Sequence, residues 1–289
     1  MHLSTLENTA GVVVLYNPQV DVLANIATYL PDLAVLYCLD NSEEKNHGLI
    51  EKLMATPKVH YLDLQGNKGL AAALNKGAAL AIKQEFLWLL TMDQDSAAQT
   101  GMIPLLRQAL AHTQEEKVAI VAPFQQDKDN QGQTRQEGIQ EVEAVMTSGN
   151  LLSLSAYSAV GPFKDEFFID YLDYEFCLRL RLQGYKILQN PQAVLFHSVG
   201  DITLNSFLGV HITASNHSAL RRYYITRNRL QVMETYKRHF PGYFKQEVLD
   251  LLKDVIRITF FEKDKLKKLR YMGYGIRDFR NRRFGKFQK

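Results

Sequence analysis

Four short apolar runs, spaced by helical segments, most constrain how this chain can fold. Residues 11–16 (GVVVLY), 33–39 (LAVLYCL), 59–64 (VHYLDL) and 86–91 (FLWLLT) have the length and the β-branched or aromatic content of strands. Residues 21–30 and the alanine-rich stretch from Gly66 (GNKGLAAALNKGAALAIKQ) read as helices between them. Strands alternating with helices predict an α/β fold with a mostly parallel sheet, in which ligands collect beyond the carboxyl ends of the strands. Three of the runs end in polar groups: Asn17-Pro18, Asp40-Asn41-Ser42 and Asp93-Gln94-Asp95. All three are expected on one sheet edge.

The fourth run poses the sharpest question, because a strand that reads as core runs directly into two aspartates. Charge at the end of a buried strand is costly unless something there needs it. A helix-capping turn at Asp95-Ser96 is one answer. The other is a divalent cation, since paired hard oxygens suit Mg²⁺ or Mn²⁺ bridging a diphosphate. With 289 residues and 46% apolar content the chain can bury a sizeable core. Cys38 and Cys177 sit among apolar neighbours and read as buried reduced thiols, which points to a reducing compartment. The N-terminus lacks a basic region ahead of a long apolar run, and no stretch has the length needed to span a bilayer. A cytoplasmic location is therefore expected.

Further along, residues 118–122 read as another strand and residues 125–140, rich in Gln, Asp and Gly, as a mobile surface loop. A helix is expected from Ser153, and a strand over 193–196 that ends in His197. The turn Gly66-Asn67-Lys68-Gly69 lacks the Gly-Lys-Ser/Thr ending of a phosphate loop and does not fit the dinucleotide fingerprint. Its backbone and lysine can still approach a nucleotide, with Asn75 on the helix behind. Between Phe167 and Ile187, acids alternate with aromatic residues: Asp170, Asp173 and Glu175, with Glu166 just upstream. Aromatic burial raises a carboxylate pKa and suits a general base. The same acids would also favour the first turn of an amphipathic helix with Arg179 and Arg181 further on.

Eight ordered stretches together carry a family resemblance: YNP at Tyr16, DNS at Asp40, GNKGLAAALNKG at Gly66, LLTMDQDS at Leu89, SGN at Ser148, GPFKDEFFIDYLDYEFCLRLRLQGY at Gly161, LFHSVGD at Leu195 and RRYYITRN at Arg221. They resemble the family 2 glycosyltransferases of the GT-A fold and, in their order, the bacterial rhamnosyltransferases that use dTDP-rhamnose. The resemblance spans about residues 10–235. It implies a Rossmann-like, mostly parallel sheet flanked by helices, with a catalytic domain over 1–217 and a helical basic C-terminal extension over 218–289. It also implies roles. Asp40 would bond the pyrimidine base, Tyr16 and Asn17 would line its pocket, and Lys68 would lie nearby. Asp93 would face the nucleoside, and Asp95 with His197 would hold Mn²⁺ or Mg²⁺. Asp173 matches the base of the inverting enzymes. Arg227 and Asn228, with Tyr223 and Tyr224, resemble a segment that closes over the diphosphate. The departure is Asp170, a second acid three residues before Asp173.

The last 39 residues, from Leu251, carry 13 Lys or Arg against 4 Asp or Glu, a net charge of +9 in a chain whose total is +3. The stretch from Leu266 interleaves these charges with aromatic residues. No recognised nucleic-acid module accompanies it, so nucleic-acid binding is not expected. An anionic membrane surface suits it better, because rhamnosyltransferase acceptors are usually lipid-linked saccharides, which would make the protein peripheral at the inner face of the plasma membrane. A solvated helix or a homodimer contact is the plainer reading of the same residues. Two alternatives for the whole chain stand beside the rhamnosyl donor: the same fold using UDP-galactofuranose or UDP-glucose, and a non-catalytic nucleotide-binding scaffold.

Overall fold

The four apolar runs form neighbouring strands of one sheet: β1 (Thr9–Leu15), β2 (Val35–Asp40), β3 (Val59–Asp63) and β4 (Trp88–Asp93). The structure is a computed structural model that describes residues 8–111, 117–127, 135, 137–197, 203–207, 210–214 and 216–288, with backbone alone over 203–207 and 210–214. Beyond β4 come β5 (Ala97–Ala98), β6 (Val118–Asp127), β7 (Gln140–Glu141), β8 (Asn150–Ser153) and β9 (Lys186–His197). The sheet runs in the order β3-β2-β1-β4-β8-β6-β9-β5, with β7 on β9.

Strand direction explains why polar endings gather. β1, β2, β3 and β4 are parallel, and the register sets Leu15 against Asp40, Asp40 against Asp63, and Val14 against Asp93. β8 is antiparallel to both β4 and β6, so two reversals restore the direction in β6 and in its parallel neighbour β9. His197, the last residue of β9, therefore emerges on the same edge as Asp93. The start of β8 returns there too, through the pairing of Thr91 with Asn150.

Helices α1 (Val22–Ala27), α2 (His47–Met54), α3 (Leu70–Lys83), α4 (Met102–Ala111) and α5 (Leu154–Val160) follow their strands. The alanine content of α3 has a packing reason. Its Ala71, Ala73, Leu74, Ala78 and Ala81 are buried, and a Cβ on Gly77 would stand 2.5 Å from Cγ2 of Val12 on β1. Only a helix of small residues can lie that close. Under the sheet, Val13, Leu15, Leu36, Leu90 and Met92 join Ile103, Leu106 and Leu195 in a continuous core. Cys38 and Cys177 are buried thiols, and burial pushes Cys38 up to about 12, where it is unreactive.

Several elements run longer than their expected bounds. β6 continues to Asp127 and β9 begins at Lys186, because both are covered strands whose polar residues hide the continuation. Most of the expected loop over 125–140 lies outside the described residues, as do residues 198–201 beyond His197. The helix expected from Ser153 is α5, with Ser153 as its N-cap, accepting from Ala156 N at 3.3 Å.

The chain divides into two compact units. One comprises Met1–Asp165 and Phe176–Ser198, and the other Glu166–Glu175 and Val199–Lys289. Helix α6 (Leu172–Leu182) contributes its first turn to the second unit and the rest to the first. The second unit also holds the hairpin of β10 (Thr203–Phe207) and β11 (Val210–Ala214) and three helices: α7 (Ala219–Tyr236), α8 (Pro241–Phe260) and α9 (Lys265–Arg280). Ser218 caps α7, its Oγ accepting from Arg221 N at 3.2 Å. This unit is held by charge as much as by apolar burial. Arg222 donates to Glu262 at 2.6 Å, Lys268 meets the same carboxylate at 2.7 Å, and Arg229 contacts Glu247 at 3.2 Å and Asp254 at 3.1 Å. Such buried pairs are strongly destabilising when one partner is removed.

The same cations govern a histidine. Burial pushes His217 down to about 3, and Arg221, Arg222 and Lys268 push in the same direction. An unfolded histidine titrates near 6.5, so below that pH the unfolded chain takes up the proton and the folded chain does not. Stability is therefore expected to fall as pH drops from about 6.5 towards 3. Urea midpoints at about pH 7.5 and about pH 5 should differ less in His217→Asn than in the wild type. An unchanged difference would place the dependence on other groups.

Candidate active site

The sheet edge owes its arrangement to the turn after β4. Asp93 closes the strand, and Ser148 Oγ accepts from the Asp93 backbone N at 3.0 Å. Ser148 in turn donates to Ser96 Oγ at 2.9 Å, and Ser96 Oγ lies 3.0 Å from Nδ1 of His197. That nitrogen is also 3.4 Å from Asp95 Oδ1. One hydroxyl chain thus ties the end of β4, the turn before β8 and the end of β9 to one another. Asp93, Asp95 and His197 each offer a ligand atom, all within 4.8 Å of one another and all half-buried. Two carboxylates this close repel in the absence of a cation. Hard oxygens with one imidazole nitrogen are a donor set that suits Mn²⁺ or Mg²⁺, so these residues fit the expected metal.

Gln94, between the two aspartates, fixes the loop from the other side. Its Oε1 accepts from Tyr16 N at 2.8 Å, its Nε2 donates to Tyr16 O at 3.1 Å, and its own carbonyl accepts from Asn25 Nδ2 at 2.9 Å. Tyr16 and Asn17 leave the end of β1 exposed, with Asn17 left-handed at φ 47° and its N–H donating to Ser42 Oγ at 2.7 Å. Asp40 is buried at the end of β2. Its oxygens accept from Ser42 N at 2.9 Å and Tyr61 OH at 2.7 Å, with Lys45 3.4 Å away. Asn41 places the next turn: it accepts from Lys68 N at 2.7 Å and donates to Asn67 Oδ1 at 3.2 Å. Lys68 stands exposed on that turn, before Gly69 at φ 91° opens α3. Tyr16, Asn17, Asp40, Lys68, Asp93, Asp95 and His197 are thus carried on one edge of one unit.

Asn75 belongs to the scaffold. It donates to Phe163 O at 2.8 Å and Asp165 Oδ1 at 2.7 Å, and accepts from Tyr157 OH at 2.8 Å and Phe163 N at 2.9 Å. Ser96, Ser148 and Gln94 were not singled out by sequence reasoning. The only signal for Ser148 was its place in Ser-Gly-Asn, because its partners are more than 50 residues away in the chain.

The remaining expected residues lie in the second unit. Asp173 is half-buried in the first turn of α6, its Oδ1 accepting from Tyr174 N at 2.9 Å. Asp170 is held by Arg221 through contacts of 3.0 Å from Nε and 3.0 Å from Nη2; burial pushes its pKa up against the pull of that arginine. Glu175 is fully buried and accepts from Tyr236 OH at 2.6 Å. In front of α6 the backbone turns left-handed at Phe168, Asp170 and Tyr171, an unfavourable conformation for aromatic side chains. Arg227 and Asn228 hold it there. The five N–H groups of the Arg227 guanidinium meet Asn228 Oδ1, Tyr223 OH and the carbonyls of Gly285, Glu166 and Phe167 at 2.8–3.3 Å. Asn228 Nδ2 lies 2.9 Å from each of the carbonyls of Phe167, Ile169 and Asp170.

Comparison with known proteins gives three findings. The family model for glycosyl transferase family 2 matches residues 19–168. The chain is 27% identical over 283 residues to the dTDP-rhamnosyl transferase RfbF of Shigella flexneri, covering 92% of each protein. Among solved structures it is similar to GalNAc-T7 with UDP, GalNAc and Mn²⁺, with a TM-score of 0.62 at 13% identity, over 96% of this chain and 56% of that one.

The clamp yields an expectation about stability. Asn228→Ala leaves buried carbonyls without their donor and is expected to cost about 1–3 kcal/mol, read as a lowered urea midpoint at unchanged slope. A variant as stable as the wild type would show that water replaces the amide.

Proposed function

The chain belongs to glycosyltransferase family 2 and has its GT-A-like fold, and from that premise we propose that it transfers rhamnose from dTDP-rhamnose, with inversion, to a lipid-linked glycan of the cell surface. The observation that carries the reading is the meeting of Asp93, Asp95 and His197 at the sheet edge, in a chain that aligns along nearly its whole length with a dTDP-rhamnosyl transferase.

In this reading Asp95 and His197 hold Mn²⁺ or Mg²⁺, with Asp93 towards the nucleoside. Ser96 Oγ accepts from Ser148 and lies 3.0 Å from Nδ1 of His197, which holds the imidazole beside Asp95. Bound there, a divalent cation neutralises charge on the departing nucleoside diphosphate. Tyr16, Asn17, Asp40 and Lys68 form the nucleotide side of the site. Asp173 takes the proton from the acceptor hydroxyl as its oxygen bonds to the anomeric carbon, and the bond from that carbon to the phosphate oxygen breaks with its electron pair leaving on dTDP. Asp173 is preferred over Asp170 because it alone stands at the Asp-x-Glu position of the resemblance, Asp173-Tyr174-Glu175, and over Glu175 because that side chain is fully buried. Arg227 and Asn228 act through the backbone they clamp, holding the left-handed segment that leads into Asp173.

The test is turnover of dTDP-rhamnose, UDP-galactofuranose and UDP-glucose with a crude lipid-linked acceptor, with and without Mn²⁺ or Mg²⁺. Consumption of dTDP-rhamnose, lost in chelator and in Asp95→Ala, is the expected result; preference for a UDP-sugar would replace the donor. Ser148→Ala is expected to lower metal affinity or turnover by about 10- to 100-fold, because it loosens the groups that orient the ligands. Asp173→Asn should bind the donor normally and transfer about 100-fold more slowly or worse. If Asp170→Asn shows that pattern and Asp173→Asn does not, the base is Asp170.

A further inference from the structure

Helix α8 is turned against the usual order of a surface helix. Its inward side carries Glu247 and Asp254, paired with Arg229 and Arg222, together with the buried Phe244 and Ile258. Its outward side carries Val248, Leu249, Leu252, Val255, Ile256 and Phe260, which are 37% (Val255) to 68% (Phe260) exposed. At about 100° per residue these positions form one stripe along the helix. The first turn of α9 adds Leu266, 85% exposed, between Lys265 and Lys267. A soluble chain rarely leaves such a stripe without a partner.

The charges around it indicate which partner. Glu247, Asp254 and Glu262 are occupied by Arg222, Arg229 and Lys268 on the inner side. Over 241–267, Lys245, Lys253, Arg257, Lys263, Lys265 and Lys267 lie towards solvent against Asp250 and Asp264, with Lys253 2.9 Å from Asp250 and Arg257 3.9 Å from Asp254. We propose that the outward face of α8 docks this protein on an anionic phospholipid surface, the helix lying in the plane of the headgroups. Its apolar side chains enter the acyl boundary, and the lysine and arginine stems reach back to the phosphates. A second copy fits less well, since a two-fold pair would set one basic rim against the other. No helix among the described residues is long and apolar enough to cross a membrane.

This moves the membrane contact away from the last residues, where sequence reasoning put it. The aromatic rings there pack inward: Tyr271, Tyr274 and Phe287 against Tyr223 and Tyr224, and Phe284 against Phe167 and Arg227. Arg282 is taken by Glu234 and Gln231. The inference goes beyond the proposed reaction, and its test needs neither donor nor acceptor, so it can fail while the reaction reading stands.

The full chain is sedimented with vesicles of phosphatidylethanolamine and phosphatidylglycerol, and with phosphatidylcholine vesicles as control. Partition onto the anionic vesicles is expected to exceed the control by about tenfold or more and to weaken with salt. The combined variant Leu249→Gln, Leu252→Gln, Ile256→Gln and Phe260→Gln should lose about tenfold or more of that binding. Its circular dichroism and thermal midpoint should be unchanged, because the four positions are exposed. As a second readout, Phe260→Trp should shift its emission to the blue on anionic vesicles. Three results would overturn the proposal: wild-type binding by the four-fold variant; loss of binding only when Arg280, Arg282, Arg283 and Lys286 are changed to Ser; or a concentration-dependent dimer, abolished by the four-fold variant, with no vesicle binding.

Discussion

The hydroxyls of Ser148 and Ser96 join three chain segments that the sequence holds far apart. By accepting from the N–H of Asp93 and donating to Ser96, Ser148 sets the turn that presents Asp95 beside His197. A hydrogen bond of this kind contributes about 1 kcal/mol net to stability, so its importance lies in placement rather than in folding energy. Two carboxylates and an imidazole would not otherwise stay together at the end of a buried strand, since each gains more by facing water. A divalent cation held there would relieve that cost.

Direction in the sheet makes that meeting possible. β8 runs against both its neighbours, and the double reversal brings β9 out on the edge where β1, β2 and β4 also end. Tyr16, Asn17, Asp40 and Lys68 share this frame. Gln94 ties the aspartate turn to Tyr16, Ser42 ties Asn17 to the end of β2, and Asn41 ties that end to the Lys68 turn. The second unit solves a different problem, that of holding three left-handed residues, Phe168, Asp170 and Tyr171, in front of Asp173, and solves it with a saturated guanidinium and one amide.

The strands were legible because short β-branched runs bounded by turns have few other readings, and the polar endings of β1, β2 and β4 were legible as sharing one edge because parallel topology leaves them no other. The family resemblance supplied Asp93, Asp95 and His197, and the structure brings them together. What lay beyond reach was long-range. Asn75 reads as a helix-surface amide near a nucleotide, whereas its four bonds go to residues more than 80 positions away. Among the C-terminal aromatic residues, which read as surface because of the charges between them, Tyr271, Tyr274 and Phe287 pack against Tyr223 and Tyr224 of α7. The apolar stripe of α8 drew no reading of its own, since period alone marks a face without saying which way it points. In both cases the deciding information is which side already has a partner.

The central claim is that Asp95 and His197 hold a divalent cation for the leaving nucleotide. Diffraction from crystals grown with Mn²⁺ and dTDP, recorded at the manganese absorption edge, tests it most directly. The expected result is one anomalous peak within coordination distance of the Asp95 carboxylate and a ring nitrogen of His197. Bound dTDP at the edge of β1, β2 and β4 with no peak there at saturating Mn²⁺, or a peak held by other side chains, would contradict it.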